Sequence, residues 1–246
     1  MTGVQTCALP ILRRLLSSRK ERECSGLFIS DGTKLLEEAI RWEGQLTTVI
    51  HTENIALSLP EDIREVVVPE EIMEYISPMS TPQGALFLCR LPEKTEFTPK
   101  PGMLILDGIQ DPGNLGTILR TADALDVPVV LLPGCADPYS HKVVRSSMGA
   151  IFRTPVMEAD FETVKTACEK ANIPLAVTAL RADAADIRTA PISQMAVVIG
   201  SEGQGVSKAV LEACTKYLII PMNPHCESLN AAIAAAIVMW QMKKEV

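Results

Sequence analysis

"IIPMNPHCESLNAAIAAAI", residues 219–237, decides how this chain is read. An apolar run that reads as a strand ends in a loop holding Pro and Asn, and an alanine-rich helix follows. So smooth a helix has little of any size to bury, yet Glu227, Ser228 and Asn230 stand at its mouth. Ser228 is a reasonable N-cap, the alanine turns allow close packing, and Lys243 and Lys244 suit the C-terminal end. Asn230 is harder to account for. It is a poor helix former read on the first turn, where a ligand would meet a helix N-terminus.

Working back along the chain, "MLILD", "VPVVLL", "PLAVTAL", "AVVIG" and "YLII" alternate with helical patterns such as "NLGTILRTADAL", "FETVKTACEKA" and "VSKAVLEACTK". Apolar strands alternating with helices predict a parallel sheet covered on both faces, with ligands bound at the carboxyl ends of the strands. That rule puts "LDGIQDPGNLG", "VIGSEGQG" and "IIPMNPHCESLN" on one rim. In the first loop, Asp111-Pro112-Gly113 predicts a turn and Asn114 a helix cap, with Leu115, Ile118, Leu119, Ala122 and Leu125 as the buried stripe. Arg120 falls just off that stripe, near enough to reach the rim; a solvated arginine reads the same way. The glycines of the second loop permit close backbone approach to a ligand. It is neither a Walker A loop nor a G-x-G-x-x-G fingerprint. Glu202 places a carboxylate in it, which points to a ligand other than a bare polyphosphate.

Composition bounds the rest. The chain has 246 residues, 47% hydrophobic and 22% charged, which predicts a soluble globular protein of one or two domains. No apolar run reaches the roughly 18 residues of a membrane span. The net charge of −7 argues against holding nucleic acid by overall charge, though not against a local basic patch. Seven cysteines without a C-x-x-C pair or a secretory pattern predict reduced thiols and a cytoplasmic location. His225-Cys226 lacks the spacing of a zinc site, so no metal is expected.

Residues 1–11, "MTGVQTCALPI", have no clear period and read like a translated sequencing adapter. They are expected to be non-native and are set apart from the fold, the protein's own start then being missing. Residues 12–91 alternate strand-like runs ("GLFIS", "LTTVIHT", "EVVVP", "GALFLCR") with helical ones and predict a small α/β domain. Residues 92–101 hold Pro92, Pro99 and Pro101 and read as a linker; residues 102–246 form the parallel-sheet domain.

"NLGTILRTADAL", "VVIGSEGQGVS" and "IIPMNPHCESLNAAIAAAI" resemble, in order and spacing, the three motifs of the SpoU (TrmH-like) RNA 2′-O-ribose methyltransferases of the SPOUT superfamily. "HKVVRSSMGAIFRTPV" is similar to the family between the first two, and residues 12–91 resemble its ribosomal-protein-like substrate-binding domain. The resemblance implies an α/β domain with a C-terminal trefoil knot, a homodimer in which two subunits complete each site, and S-adenosylmethionine bound largely through backbone groups. By motif position it implies Gly200, Ile220, Met222 and Leu229 at the cofactor, and Asn114, Arg120, Glu202, Ser228 and Asn230 in the catalytic neighbourhood. The residue matching Arg120 has been proposed as a general base in the family. A guanidinium is normally only a donor, so a clamp on the neighbouring phosphate suits it better. One departure stands out: Asn223-Pro224 follows "IPM" where the family often has glycine, and proline fixes φ and removes a donor.

The resemblance also makes structured RNA the expected partner, ribosomal more than transfer RNA, and no membrane. "LRRLLSSRKERE" gathers Arg13, Arg14, Arg19, Lys20 and Arg22, and His141, Lys142, Arg145 and Arg153 could add a second basic surface. Each can also be a solvated face. At 4% aromatics, recognition by shape suits the chain better than extensive base stacking. The alternatives are a non-catalytic RNA-binding protein that keeps the fold, which Asn114, Arg120, Ser228 and Asn230 oppose, and a Rossmann-type enzyme, which the missing fingerprint opposes.

Overall fold

The computed structural model describes residues 4–93, 96–201, 203–223, 225–226 and 228–244, with residues 4–8 given as helical backbone. The chain opens with α1 (Val4–Ser17), α2 (Arg19–Ser25), β1 (Leu27–Asp31), α3 (Thr33–Arg41), β2 (Leu46–His51), β3 (Arg64–Val67), α4 (Glu70–Ile76) and β4 (Ala85–Arg90). It continues with β5 (Met103–Asp107), α5 (Pro112–Leu125), β6 (Val129–Leu131), α6 (His141–Ser146), β7 (Met157–Glu158), α7 (Phe161–Lys170), β8 (Leu175–Thr178) and β9 (Ala185–Asp186). β10 (Ala196–Gly200), α8 (Lys208–Ala213), β11 (Lys216–Ile219) and α9 (Ala231–Lys244) complete it. Two compact units result: Met1–Glu93 with Asp137–Arg153, and Lys94–Ala136 with Thr154–Val246.

In the first unit the described strands form a mixed sheet ordered β1-β4-β2-β3, antiparallel except for the β2–β3 pair. Leu12 and Leu15 of α1 and Met73 and Ile76 of α4 bury their side chains with Ile29, Ile50, Leu86 and Leu88 of the sheet. α1 runs back through part of the segment set apart above, with Leu9 packed against this core. The run "LRRLLSSRKERE" is not one helix. Ser18 interrupts it and starts α2, its hydroxyl accepting the Glu21 N–H at 3.3 Å, the Ser-x-x-Glu pattern of a helix start.

The segment Asp137–Arg153 joins this unit although it lies between strands of the other. Arg22, 4% exposed, donates through Nε to Asp137 Oδ2 at 2.8 Å and also to the Leu15 carbonyl. Arg153 pairs with Glu38, and Arg145 Nε lies 3.9 Å from Asp31 Oδ1. Tyr139 and Phe152 set their rings 5.3 and 6.3 Å from that of Phe28. Burial pushes the Asp31 carboxyl up from its ordinary value, opposed by Arg145 and His141, and lowers His141.

In the second unit every described strand pair is parallel, in the order β7-β6-β5-β10-β8-β11-β9. The α/β class with a parallel sheet is as the sequence predicts. Met103, Ile105, Val130 and Val198 face Val164 and Cys168 of α7 and Val210 of α8. By the period of two, Leu104, Leu106 and Val197 point to the opposite face, where α5 and α9 pack on each other and α9 on β10. The alanines of α9 matter here: Ala231, Ala232 and Ala235 are buried, which allows the close helix contact that larger side chains would hold apart. Burial pushes the Cys168 and Cys214 thiols up to about 11, so they stay neutral parts of the core. From β5 the chain first moves outward through β6 and β7, while β10, β8, β11 and β9 lie on the other side. The carboxyl ends of β5 and β10 therefore flank a topological switch point.

Candidate functional site

β10 ends at Gly200, in register with Asp107, the last residue of β5. Beyond it the chain turns back on itself. Ser201 N–H donates to the Gly205 carbonyl at 3.0 Å and Gly205 N–H to the Ser201 carbonyl at 2.9 Å, which closes a tight flap. A Cβ on Gly200 would sit 2.2 Å from the Gly205 carbonyl and 2.3 Å from Val206 N, so only glycine lets the flap close over the strand end. The return is fixed at Ser207, whose N–H donates to Asp107 Oδ2 at 2.7 Å.

Two cavities of this unit meet at the flap. One, of about 510 Å³, is lined by Gly200, Ile220, Met222, Ser228 and Leu229, so the structure gathers four cofactor candidates and one catalytic candidate around one space. The other, of about 740 Å³, is lined by Asp107, Gln110, Asp111, Asn114 and Lys208. Ser201, Gly203, Gln204, Gly205 and Val206 line both. The flap is the partition between a mainly apolar chamber and one carrying carboxylates, amides and a lysine.

Asn114 and Asn230 meet across the sequence: Asn230 Nδ2 donates to Asn114 Oδ1 at 3.0 Å. Their local roles differ from those the sequence predicts. Asp111, not Asn114, caps α5, its Oδ1 accepting the Asn114 N–H at 2.7 Å, with Pro112 opening the helix. Asn230, not Ser228, caps α9, its Oδ1 accepting the N–H groups of Ala232 at 2.9 Å and Ile233 at 3.3 Å. As a cap just outside the helix, Asn230 has no propensity to lose; its amide group then reaches toward Asn114. A cap of this kind is worth about 1 kcal/mol. The pair ties the carboxyl side of β5 to the start of the last helix.

Arg120 does not join these groups. It is exposed on α5 and lies outside the lining of both cavities. Six residues beyond Asn114 correspond to about 240° around a helix, so the two side chains leave on different faces. Glu202 and Pro224 lie outside the described residues. The loop after β8 is a contributor that the motifs do not mark: Thr178, Ala179, Leu180 and Arg181 line the first cavity. Arg181 is held by Asp183 at 2.8 Å and stacks 4.0 Å from the Tyr217 ring centre, and Leu180 is 67% exposed. The carboxyl-end rule alone, applied to "PLAVTAL", reaches this loop.

On the first unit the basic residues divide. Arg13, Arg14, Arg19, Lys20 and Lys142 are exposed. Arg22 is not a candidate for contact with RNA: its charge is buried against Asp137, and removing it from such a pair leaves an uncompensated buried carboxylate. Arg145 is half-buried beside Asp31 and so serves the unit's own packing. Among the described residues, no group of three or more His, Cys, Asp or Glu side chains is placed to hold a metal ion, and no helix is long and apolar enough to cross a membrane.

Comparison with known proteins bears on both units. Residues 101–240 match the SpoU rRNA Methylase family, and residues 12–86 match an MRM3-like substrate binding domain. The chain is 32% identical over 232 residues to the 23S rRNA (guanosine(2553)-2′-O)-methyltransferase RlmP of Bacillus subtilis, covering 93% of each chain. A TrmH-family protein of Porphyromonas gingivalis has a similar structure, with a TM-score of 0.87 and 33% identity over 100% of this chain and 99% of that one. An AdoMet-bound rRNA methyltransferase of Sinorhizobium meliloti superposes with a TM-score of 0.85 at 25% identity, over 100% and 97% of the two chains.

Proposed function

The chain belongs to the SpoU rRNA Methylase family, and on that premise we propose that it methylates a ribose 2′-hydroxyl of ribosomal RNA in the cytoplasm, with S-adenosylmethionine as methyl donor. The observation that carries this reading is the convergence of Gly200, Ile220, Met222, Ser228 and Leu229 on one cavity, separated by a glycine flap from a polar chamber containing Asn114. The first cavity suits the donor. Its volume of about 510 Å³ is in the usual range for a ligand of that size, and the crowded Gly200 leaves backbone groups at its wall.

When bound, S-adenosylmethionine supplies an electrophilic methyl group. The chain's own residues do the rest. Leu229, Ile220 and Met222 exclude water from the donor chamber and the flap's backbone orients its contents. The Asn114–Asn230 pair aligns the acceptor ribose at the polar side, where correct orientation alone is worth about 7–11 kcal/mol in well-placed cases. Arg120 holds the phosphate next to the reacting sugar and offsets charge that develops on its oxygen. Glu202, outside the described residues, is a further catalytic candidate by its motif position alone. Incubation with tritiated donor and unmodified ribosomal RNA, followed by digestion to nucleosides, is expected to yield a labelled 2′-O-methyl nucleoside. Label in a base, or none, overturns the reading.

The C-terminal segment is threaded as a trefoil knot. In support, Ile219, Ile220, Met222, Ser228 and Leu229 line a cavity with the flap while α9 returns against α5. Two subunits pair through α9. Ile233, Ile237 and Trp240 are 51%, 37% and 65% exposed at helical spacing, an apolar stripe unusual on a monomer. Pairing also explains an arginine outside the cavities of its own chain, since Arg120 can then serve a site completed by the partner. Ile237→Glu with Trp240→Glu is expected to raise the dimer dissociation constant about 100-fold or more by burying charge, and activity is expected to fall with it. Light scattering after size exclusion checks this, and an intact dimer would refute it.

The exposed basic residues of α1, α2 and α6 contact RNA phosphates on the first unit. If Arg13, Arg14, Arg19, Lys20 and Lys142 each meet one, the logarithm of affinity falls against that of salt with a slope of about −3 to −5. Filter binding at several salt concentrations measures the slope, and a flat response removes these residues from the interface.

A further inference from the structure

We propose that Asp107 is a positioning residue for methyl transfer, holding the Gly200–Ser207 flap in place as the partition between the two chambers. The proposal rests on the donor-site reading above and adds to it a residue that no motif contains as a functional group.

Asp107 is 8% exposed at the carboxyl end of β5, in a polar chamber where a carboxylate could remain hydrated. Instead, Oδ2 accepts the backbone N–H of Ser207 at 2.7 Å, a residue 100 positions away in sequence. The flap starts at Gly200, fixed by its register opposite Asp107, and ends at Ser207, fixed by the Asp107 side chain. One residue therefore anchors both ends. Between the anchors, among the described residues, the flap is held to itself by the Ser201–Gly205 pair and by the Gln204 N–H donating to Ser201 Oγ at 3.3 Å, and its glycines give it little stiffness. A charge-assisted hydrogen bond to a backbone N–H is among the stronger single restraints available, and stronger still away from water. Because the same flap residues face both chambers, displacing the return end alters the donor pocket and the opening to the acceptor together.

The bond can be removed from either side. Asp107→Ala deletes the acceptor. Ser207→Pro deletes the donor at a residue whose φ of −60° and ψ of 149° already suit proline, and whose own side chain makes no cap bond to α8. The probe is S-adenosylhomocysteine, its binding measured by titration calorimetry beside the thermal midpoint of each variant. Each substitution is expected to weaken binding about tenfold and to raise the KM for the methyl donor similarly, with kcat at saturating donor changing much less. The double variant should bind no worse than either single one, since both remove the same bond. Asp107→Asn should recover most of the loss, because its amide oxygen accepts the same N–H.

Variants that stay folded and bind like the wild type overturn the proposal, as does a double variant whose losses add. If Asp107→Ala lowers the thermal midpoint sharply while leaving the affinity of its folded fraction unchanged, the role is structural and the proposal also fails. A wild-type protein that binds no S-adenosylhomocysteine removes the donor-site reading itself, a result distinct from the others.

Discussion

Gly200→Ala is expected to weaken S-adenosylhomocysteine binding by about 10- to 100-fold, and methylation with it. The added Cβ would lie 2.2 Å from the carbonyl carbon and oxygen of Gly205 and 2.3 Å from Val206 N. These are backbone atoms, so no rotamer change relieves the clash. Either the flap lifts, breaking the Ser201–Gly205 pair, or the end of β10 shifts against β5. Both enlarge or distort the cavity proposed for the donor. Gly203→Ala separates this effect from simple loss of flexibility, since a Cβ there meets nothing within 4 Å and its effect should be much smaller. Calorimetric affinity and the thermal midpoint of both variants check the argument. Equal losses at the two positions, or wild-type binding by Gly200→Ala, would contradict it.

Arg120→Lys is expected to reduce turnover by about 100- to 1000-fold while leaving S-adenosylhomocysteine affinity unchanged. The second half follows from position: Arg120 is outside the lining of the cavity proposed for the donor, so its replacement does not reach that chamber. The first half follows from chemistry. A planar guanidinium can grip a phosphate with two parallel hydrogen bonds and still direct a donor at a developing oxyanion, whereas an ammonium group is a compact point charge that cannot do both. Single-turnover methylation at saturating donor and RNA measures the loss. Full turnover by the lysine variant would exclude the clamp.

The sequence made the second unit's architecture legible because its strands are buried on both faces and therefore read as continuous apolar runs. β7 and β9 leave no mark in the sequence, since two residues are too few to show a period. The loops of the rim could be placed by the carboxyl-end rule, yet the caps within them could not. Asp111 and Asn114, or Ser228 and Asn230, are all good capping residues within a few positions of one another, and only the backbone decides which of them caps. The loop 178–181 carries no such signal in the sequence, because it lacks the glycine or asparagine that marks each of the other three. Arg22 looked like its exposed neighbours because its partner, Asp137, is 115 residues away.

That long-range pair changes what counts as a module. A boundary drawn at residue 102 would appear to release an independent catalytic fragment. It would instead release one carrying residues 137–153 as an orphaned arm, with the rings of Tyr139 and Phe152 and the charges of Asp137 and Arg153 stripped of their counterparts. The front of this protein cannot be exchanged for another by gene fusion alone. Any replacement must arrive already shaped to that arm.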